Sequence, residues 1–389
     1  MASHLPGSDV VVVGGGLVGT SLAYELVSAG VDMVLVDRHD RGRATDAGAG
    51  ILSPETNRDP DPGFFAFGLA AAHHYGSLTQ RLAEDGAPAS GFSVTGSLLV
   101  AERPGDDAWM EEAVQLVGNR CPGLAETVDP GEVSQYFPPL GPVRRALFNP
   151  AGRRVDGRVL NAALRQAAVS RGLRVVDAGV LGVSSDRAEA CVTGVLTTVG
   201  SVPAGAVVIA GGAWSPEVAR TFEVDIPVTP LKGQIVHLAL PETDSSTWSI
   251  VQPVLGFYLV PWPDGRIACG GTMEAHAGFD HRPTADGLHQ LLHEGLRTAP
   301  GPAGATVVEV RVGSRPSTED DRPVLGRLPG WTNAFVATGH GAEGLLLGPY
   351  SALVVAGSIV GNGTVADIAE PVVAAQVLEM CSPERFTER

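Results

Sequence analysis

Apolar and polar positions alternate along this chain in ways that separate strands from helices. Residues 9–13 form a continuous β-branched run, as expected of a strand buried on both faces. Glycines interrupt it. Residues 17–29 then carry apolar side chains at helical spacing, and Gly30 stands where a helix C-cap belongs. A second apolar run over 32–36, closed by Asp37, completes a βαβ unit, and a loop rich in Gly, Ala, Thr and Pro is expected over 41–57. Further on, the periodicity predicts helices over 64–85, 107–118 and 161–171, with strands over 96–101, 173–176, 190–199 and 206–209. The last of these strands runs into Gly211-Gly212-Ala213-Trp214-Ser215. An antiparallel set follows at 234–238, 257–260 and 266–269, with Asp264-Gly265 as a hairpin signal. A helix is expected over 284–298 and strands over 306–314 and 334–337. The chain then passes through Thr338-Gly339-His340-Gly341 into a helix over about 344–360. No internal repeat or long linker is visible, so two domains are expected to interleave rather than follow in series.

Composition narrows the function. At 389 residues the chain exceeds a typical single domain, and 44% apolar residues suffice for a large core. The balance is acidic, 27 basic against 43 acidic residues, and Lys232 is the only lysine. That argues against a nucleic-acid or anionic-membrane partner. The four cysteines, Cys121, Cys191, Cys269 and Cys381, lie far apart without metal-ligand spacing, so no metal site and no disulfide framework are expected. Residues 1–9 lack a basic n-region, and no stretch of about 18 uncharged apolar residues is read as a membrane span. The cytoplasm is the expected location.

The motif Gly14-Gly15-Gly16-Leu17-Val18-Gly19 follows a buried strand and opens a helix. There Gly14 serves the tight turn, Gly16 admits a pyrophosphate, and Gly19 lets helix and strand pack closely. The helix N-terminus offers free N–H groups to phosphate, and Asp37, 18 residues past Gly19, suits a ribose hydroxyl. The unit alone fits NAD or FAD. Two further features favour the flavin: a loop of small side chains, Arg43-Ala44-Thr45-Asp46-Ala47-Gly48-Ala49-Gly50, able to run along a flat ring, and the turn Gly339-His340-Gly341-Ala342-Glu343-Gly344, whose helix would aim its N-terminus at the reducing edge of a flavin.

These pieces, with Ile51-Leu52-Ser53-Pro54-Glu55, Ala210-Gly211-Gly212-Ala213-Trp214-Ser215, Pro230-Leu231-Lys232-Gly233-Gln234, Tyr258-Leu259-Val260-Pro261, Gly270-Gly271-Thr272-Met273-Glu274 and the run from Arg315 to Gly326, follow one another in a familiar order. Over nearly its whole length the chain resembles the D-amino-acid oxidase superfamily, closest to glycine oxidase and sarcosine oxidase-like members. The resemblance implies an α/β fold: a Rossmann-type FAD-binding domain (1–90, 151–228 and 313–389) interleaved with an α+β substrate domain on an antiparallel sheet (91–150 and 229–312). It also implies oxidation of the carbon–nitrogen bond of an amino acid or secondary amine by hydride transfer to flavin N5, giving an imine that hydrolyses. Oxygen is the expected electron acceptor. A quinone-linked dehydrogenase, a 2-hydroxy acid oxidase and a flavin-binding subunit of a hetero-oligomer remain as alternatives. The oligomeric state is open.

By the resemblance, FAD contacts fall on Gly14, Gly16, Leu17, Val18, Gly19, Asp37, Arg38, Thr45, Ala47, Gly48, Ala49, Gly50, Val180, Gly211, Trp214, Gly341, Gly344, Leu345 and Leu346. Arg315 would bind the substrate carboxylate through its planar fork, or else pair with nearby Glu319 or Asp320. Tyr258 would bond the same carboxylate, or else fill a sheet face. His340 would polarise the flavin edge, or else be a satisfied turn histidine. Lys232 is expected to pair with an acid rather than to catalyse.

The chain also departs from its relatives. Where they often carry an arginine in the C-terminal turn, Ala342 and then Glu343 stand here; Glu343 either faces the pocket, favouring a substrate with a positive or hydrogen-bonding group, or caps the helix. Trp262 after Pro261, where arginine is common, hints at altered specificity. No cysteine stands where some sarcosine oxidases attach flavin, so dissociable FAD is expected.

Overall fold

The computed structural model describes residue 5, residues 7–361 and residues 371–387. Part of the stretch expected to lack a signal (1–4 and 6), and residues 362–370 and 388–389 of the expected FAD-binding segment, lie outside the described residues.

Strand Ser8–Val13 is the centre of the first sheet. It pairs in parallel with Met33–Asp37 on one side and Gly200–Ile209 on the other; Arg174–Asp177 and Ala334–Thr338 extend the parallel array outward. Val324–Arg327 adds an antiparallel edge, and the hairpin Val180–Asp186/Cys191–Thr197 continues from the first half of Gly200–Ile209. The valine run explains the placement. Val10 and Val12 face a core built with helices Leu17–Ser28, Pro62–Glu84, Gly157–Ser170 and Gly344–Val360, while Val11 and Val13 face a second core under the hairpin. Both faces are buried, so no polar position is tolerated.

The second sheet runs in the order Thr306–Ser317, Thr229–Ala239, Arg266–Gly270, Tyr258–Pro261, Ile250–Pro253, Ser97–Ala101, Arg145–Asn149, Glu126–Val128. It is antiparallel except where Ile250–Pro253 lies parallel to Ser97–Ala101. Helix Ala285–Thr298 packs its Leu291 stripe on the sheet beside Leu259 and Cys269. A small third sheet joins Ile51–Leu52, Arg153–Val155 and Phe92–Val94.

Several expectations change here. The loop expected over 41–57 contains a short helix, Ala44–Ala47, and the strand Ile51–Leu52. Strand Thr306–Ser317 crosses the expected boundary at 312/313 and pairs with Thr229–Ala239 along its whole length. A stretch long and apolar enough to span a membrane does exist, over Gly341–Val360, against the expectation of none. About 72% of it is buried inside the protein, against Leu17–Ser28 and Pro62–Glu84, so its apolarity belongs to a core helix.

Candidate active site

The glycine turn shapes one end of a cavity of about 520 Å³. Gly14 adopts φ +116°, a conformation that favours glycine, and any Cβ there would strike the Ala210 carbonyl. A Cβ on Gly19 would strike the Gly14 carbonyl oxygen, so this glycine lets the helix sit against the strand end. Helix Leu17–Ser28 starts at Gly16 with no side-chain cap; the Leu17 N–H donates to Thr45 Oγ1 at 2.9 Å, and the turn faces the cavity. Asp37, nearly buried at the end of its strand, accepts from Arg43 Nη1 at 3.1 Å. Arg38 pairs with Asp40 at 2.9 Å and Glu217 at 2.8 Å. A second uncapped helix N-terminus, that of Gly344–Val360, opens on the same cavity at Gly344 and Leu345. Two helix N-termini whose N-cap residues give no side-chain cap, a glycine turn that a side chain at Gly14 would fill, and an acid at the neighbouring strand end fit a dinucleotide with a polarisable ring.

The other end is built on the second sheet. Arg315, on Thr306–Ser317, lies across Gly233 so closely that a side chain there would collide with its guanidinium. Tyr258 points its hydroxyl over Gly270, where a Cβ would come within 2.9 Å of the oxygen. Glycines at these places let two long polar side chains lie over neighbouring strands and converge. Arg315 donates from Nη1 to the Thr272 carbonyl at 3.0 Å and has no carboxylate partner among the described residues. The expected alternative pairing fails for Asp320, which is taken by Arg385 at 2.8 Å. Burial pushes the Tyr258 hydroxyl up to about 12, with the Arg315 cation pulling the other way, so it stays neutral near pH 7.

The cavity gathers nearly all the residues expected at the site: Gly14, Gly16, Leu17, Val18, Asp37, Arg38, Thr45, Ala47, Gly48, Ala49, Gly50, Val180, Gly211, Trp214, Gly341, Gly344 and Leu345, with Tyr258, Arg315 and His340. Gly19 is behind the turn, and Leu346 faces a small neighbouring cavity instead. Trp214 stacks on Phe279 at 4.8 Å. His340 is held by its own helix: Ser351 Oγ lies 3.0 Å from Nε2 and itself donates to the Leu347 carbonyl. Burial lowers its pKa to about 4, leaving a neutral ring. Lys232 is buried and ion-paired, Nζ to Glu274 Oε2 at 3.1 Å, and does not line the cavity.

Trp262 does not line it either. Its ring is buried beside Ile250, Val260 and Ala268, with the Arg154 and Arg266 guanidinium carbons 5.3 and 5.0 Å from it, so the expected effect on specificity has no direct contact to act through. Glu343 does line the cavity; its side chain makes no cap hydrogen bond, and burial raises its carboxyl pKa. Gln252 and Ser53 were not foreseen. Both line the cavity, with Gln252 Oε1 and Ser53 Oγ buried and unpartnered. Ser53 stands in the Ile51 to Glu55 segment without having been singled out, whereas Gln252 stands in no motif and reaches the site through the pairing of Ile250–Pro253 with a strand some 150 residues earlier.

Comparison with known proteins agrees with this geometry. A family model described as FAD dependent oxidoreductase matches residues 9–357. The chain is similar to an uncharacterized oxidoreductase, YurR, of Bacillus subtilis, at 32% identity over 92% of this chain and 96% of that one. It is similar to a glycine oxidase of Pseudomonas putida at 31% identity, covering 88% and 92% of the two chains. Among solved structures, iminodiacetate oxidase from Chelativorans superposes with a TM-score of 0.86 at 33% identity, over 93% of this chain and 98% of that one. Glycine oxidase from Geobacillus kaustophilus superposes with a TM-score of 0.82 at 27% identity, over 94% and 97%. With the match running from the first strand into the last long helix, the chain belongs to the DAO family of FAD dependent oxidoreductases.

Proposed function

We propose that this protein oxidises the carbon–nitrogen bond of an amino acid or secondary amine that carries a carboxylate, with oxygen as electron acceptor and peroxide as product. The observation that carries this reading is Arg315, a guanidinium without an acidic partner among the described residues, which lines the cofactor cavity beside Tyr258. Two of the similar proteins are named for carboxylated amines, glycine and iminodiacetate.

The Gly14 to Gly19 turn and the start of helix Leu17–Ser28 would hold the pyrophosphate of FAD, Asp37 a ribose hydroxyl, and the start of Gly344–Val360 the ring edge where charge collects. FAD, when bound, supplies the electron sink for the hydride leaving the substrate carbon. None of the four cysteines lines the cavity, in keeping with a dissociable cofactor. Arg315 fixes the carboxylate with a planar pair of donors and so orients the neighbouring carbon; the neutral Tyr258 hydroxyl adds a third donor. His340, uncharged above about pH 4, leaves the amine without a cationic neighbour from that turn. No side chain is needed to break a covalent bond if the amine binds unprotonated; the imine then hydrolyses in water.

The test is a panel of primary and N-alkylated amino acids in both enantiomers, with 2-hydroxy acids alongside, followed by oxygen uptake and peroxide. Peroxide from carboxylated amines is expected. Turnover of 2-hydroxy acids alone would overturn the amine assignment, and flavin bleaching under air without peroxide would point to a dehydrogenase.

A further inference from the structure

Four acidic side chains line the cavity, and three of them are committed. Asp37 pairs with Arg43 at 3.1 Å; Asp40 and Glu217 pair with Arg38 at 2.9 and 2.8 Å. Glu343 has neither an ion pair nor a side-chain hydrogen bond among the described residues, and although it stands at the N-cap of Gly344–Val360 its side chain does not cap the helix. Its other side borders a small cavity lined by Phe64, Phe65, Leu346 and Leu347 and also by Asn57, Asp59 and Arg120, whose guanidinium donates to the Asn57 and Asp59 carbonyls rather than to Glu343. A carboxylate in such a place is costly until an opposite charge arrives.

We propose that Glu343 is an anionic subsite that selects substrates bearing a second, cationic nitrogen besides the carboxylate held by Arg315. This rests on the reading of the cavity as a carboxylated-amine site. Three observations converge on it. Among the described residues the cavity presents one cation without an acidic partner, Arg315, and one carboxyl without a partner, Glu343, which an incoming cation would hold ionised; together they complement a ligand carrying both charges. Gln252 Oε1 and Ser53 Oγ, which line the same cavity and are buried without partners among the described residues, add oxygen acceptors for a group rich in N–H. Finally, the chemistry separates the two nitrogens. Hydride can leave the carbon only when the reacting nitrogen keeps a free lone pair, and a carboxylate beside that nitrogen would stabilise its protonated form. The cation that Glu343 receives is therefore a distal one, on the side chain of a diamino or guanidino acid. A second substrate carboxylate would meet Glu343 as a like charge.

The holoenzyme decides this by the rate of flavin reduction without oxygen. The expected result is that lysine, ornithine or arginine, in its preferred enantiomer, exceeds norleucine or norvaline in kcat/KM by about tenfold or more. In Glu343→Gln, isosteric and uncharged, the ratio of kcat/KM for cationic over neutral substrates falls by about tenfold, whatever change both classes share. Wild-type enzyme that reduces equally fast with neutral chains, or fastest with iminodiacetate, overturns the subsite and leaves the amine reading intact. So does a Glu343→Gln variant, with its FAD spectrum retained, that loses both classes in proportion. If that variant cannot hold FAD, the wild-type ratio alone decides. No reduction by any carboxylated amine overturns the amine reading, and the subsite with it.

Discussion

Arg315→Met removes the cation while keeping an unbranched stem of similar reach. In the folded protein the guanidinium has five N–H donors, and one of its nitrogens, Nη1, is tied to the Thr272 carbonyl at 3.0 Å. The remaining donors suffice for a two-pronged bond to a carboxylate. Hydrogen bonds to charged groups contribute about 1.5–3 kcal/mol each, and the pair is not additive, so a loss of about 3–5 kcal/mol is reasonable. At about 1.4 kcal/mol per decade this lowers kcat/KM by roughly 10²-fold to several thousandfold. Most of it should fall on KM, because the carboxylate is held in the ground state as in the transition state. A smaller fall in kcat should follow from lost orientation. The fold should lose little, since no ion pair is broken and only the hydrogen bonds to the Thr272 carbonyl and the Tyr258 hydroxyl disappear, costing on the order of 1.5–3 kcal/mol. Anaerobic rapid mixing against substrate concentration measures both constants through the flavin absorbance, and denaturant unfolding checks stability. A KM within threefold of wild type, with FAD still bound, would show that Arg315 does not hold the carboxylate.

Two glycines of the turn should respond differently. Gly19→Ala places a methyl on the Gly14 carbonyl oxygen and should destabilise by about 1–3 kcal/mol or more, seen as a lower unfolding midpoint even without cofactor. Gly16→Ala has φ −74° and its nearest neighbour, Thr45 Oγ1, at 3.4 Å, so the apoprotein should keep its stability while FAD binding weakens; equal loss of stability in both variants would refute the division. Lys232→Met removes a buried cation from Glu274, which keeps its bond from Gln234 Nε2 at 2.7 Å, and should lower stability by about 1–3 kcal/mol with kcat/KM of the folded enzyme within twofold. A hundredfold loss of turnover would instead make Lys232 part of the machinery. His340 titrates near 4 in the fold against an ordinary 6.5, so the unfolded chain binds the extra proton between these values. Its contribution to stability is intact above about pH 6.5 and is lost as the pH falls towards 4, by about 2 kcal/mol at pH 5. Urea unfolding at pH 7.5 and 5 should show a smaller drop for His340→Gln than for wild type.

How much of this was legible depended on how local the signal was. The valines at 10–13 and the apolar run from Met33 to Val36 read as buried strands because burial on both faces favours apolar side chains throughout. The glycine turn and Asp37 follow from local spacing. Arg315 and Tyr258, by contrast, were reached through a resemblance, since nothing in their spacing brings them together; the pairing of Thr306–Ser317 with Thr229–Ala239, and of Tyr258–Pro261 with Arg266–Gly270, does that. Gln252 was invisible for the same reason. Trp262 misled because its neighbours in sequence give no sign that its ring is buried against Arg154, more than a hundred positions earlier, as well as against nearby Arg266. The helix Gly344–Val360 is apolar on all sides, and only its packing against two other helices tells a core element from a membrane span.

The most direct test of the central claim is anaerobic titration of the purified protein with carboxylated amines while the visible spectrum is recorded. The account predicts a yellow protein whose heat-released cofactor is FAD at about one per chain, bleached by at least one amino acid or N-alkylated amino acid and not by the matching amine without a carboxylate. A colourless protein that does not take up FAD, or a flavin bleached equally well without the carboxylate, would contradict it.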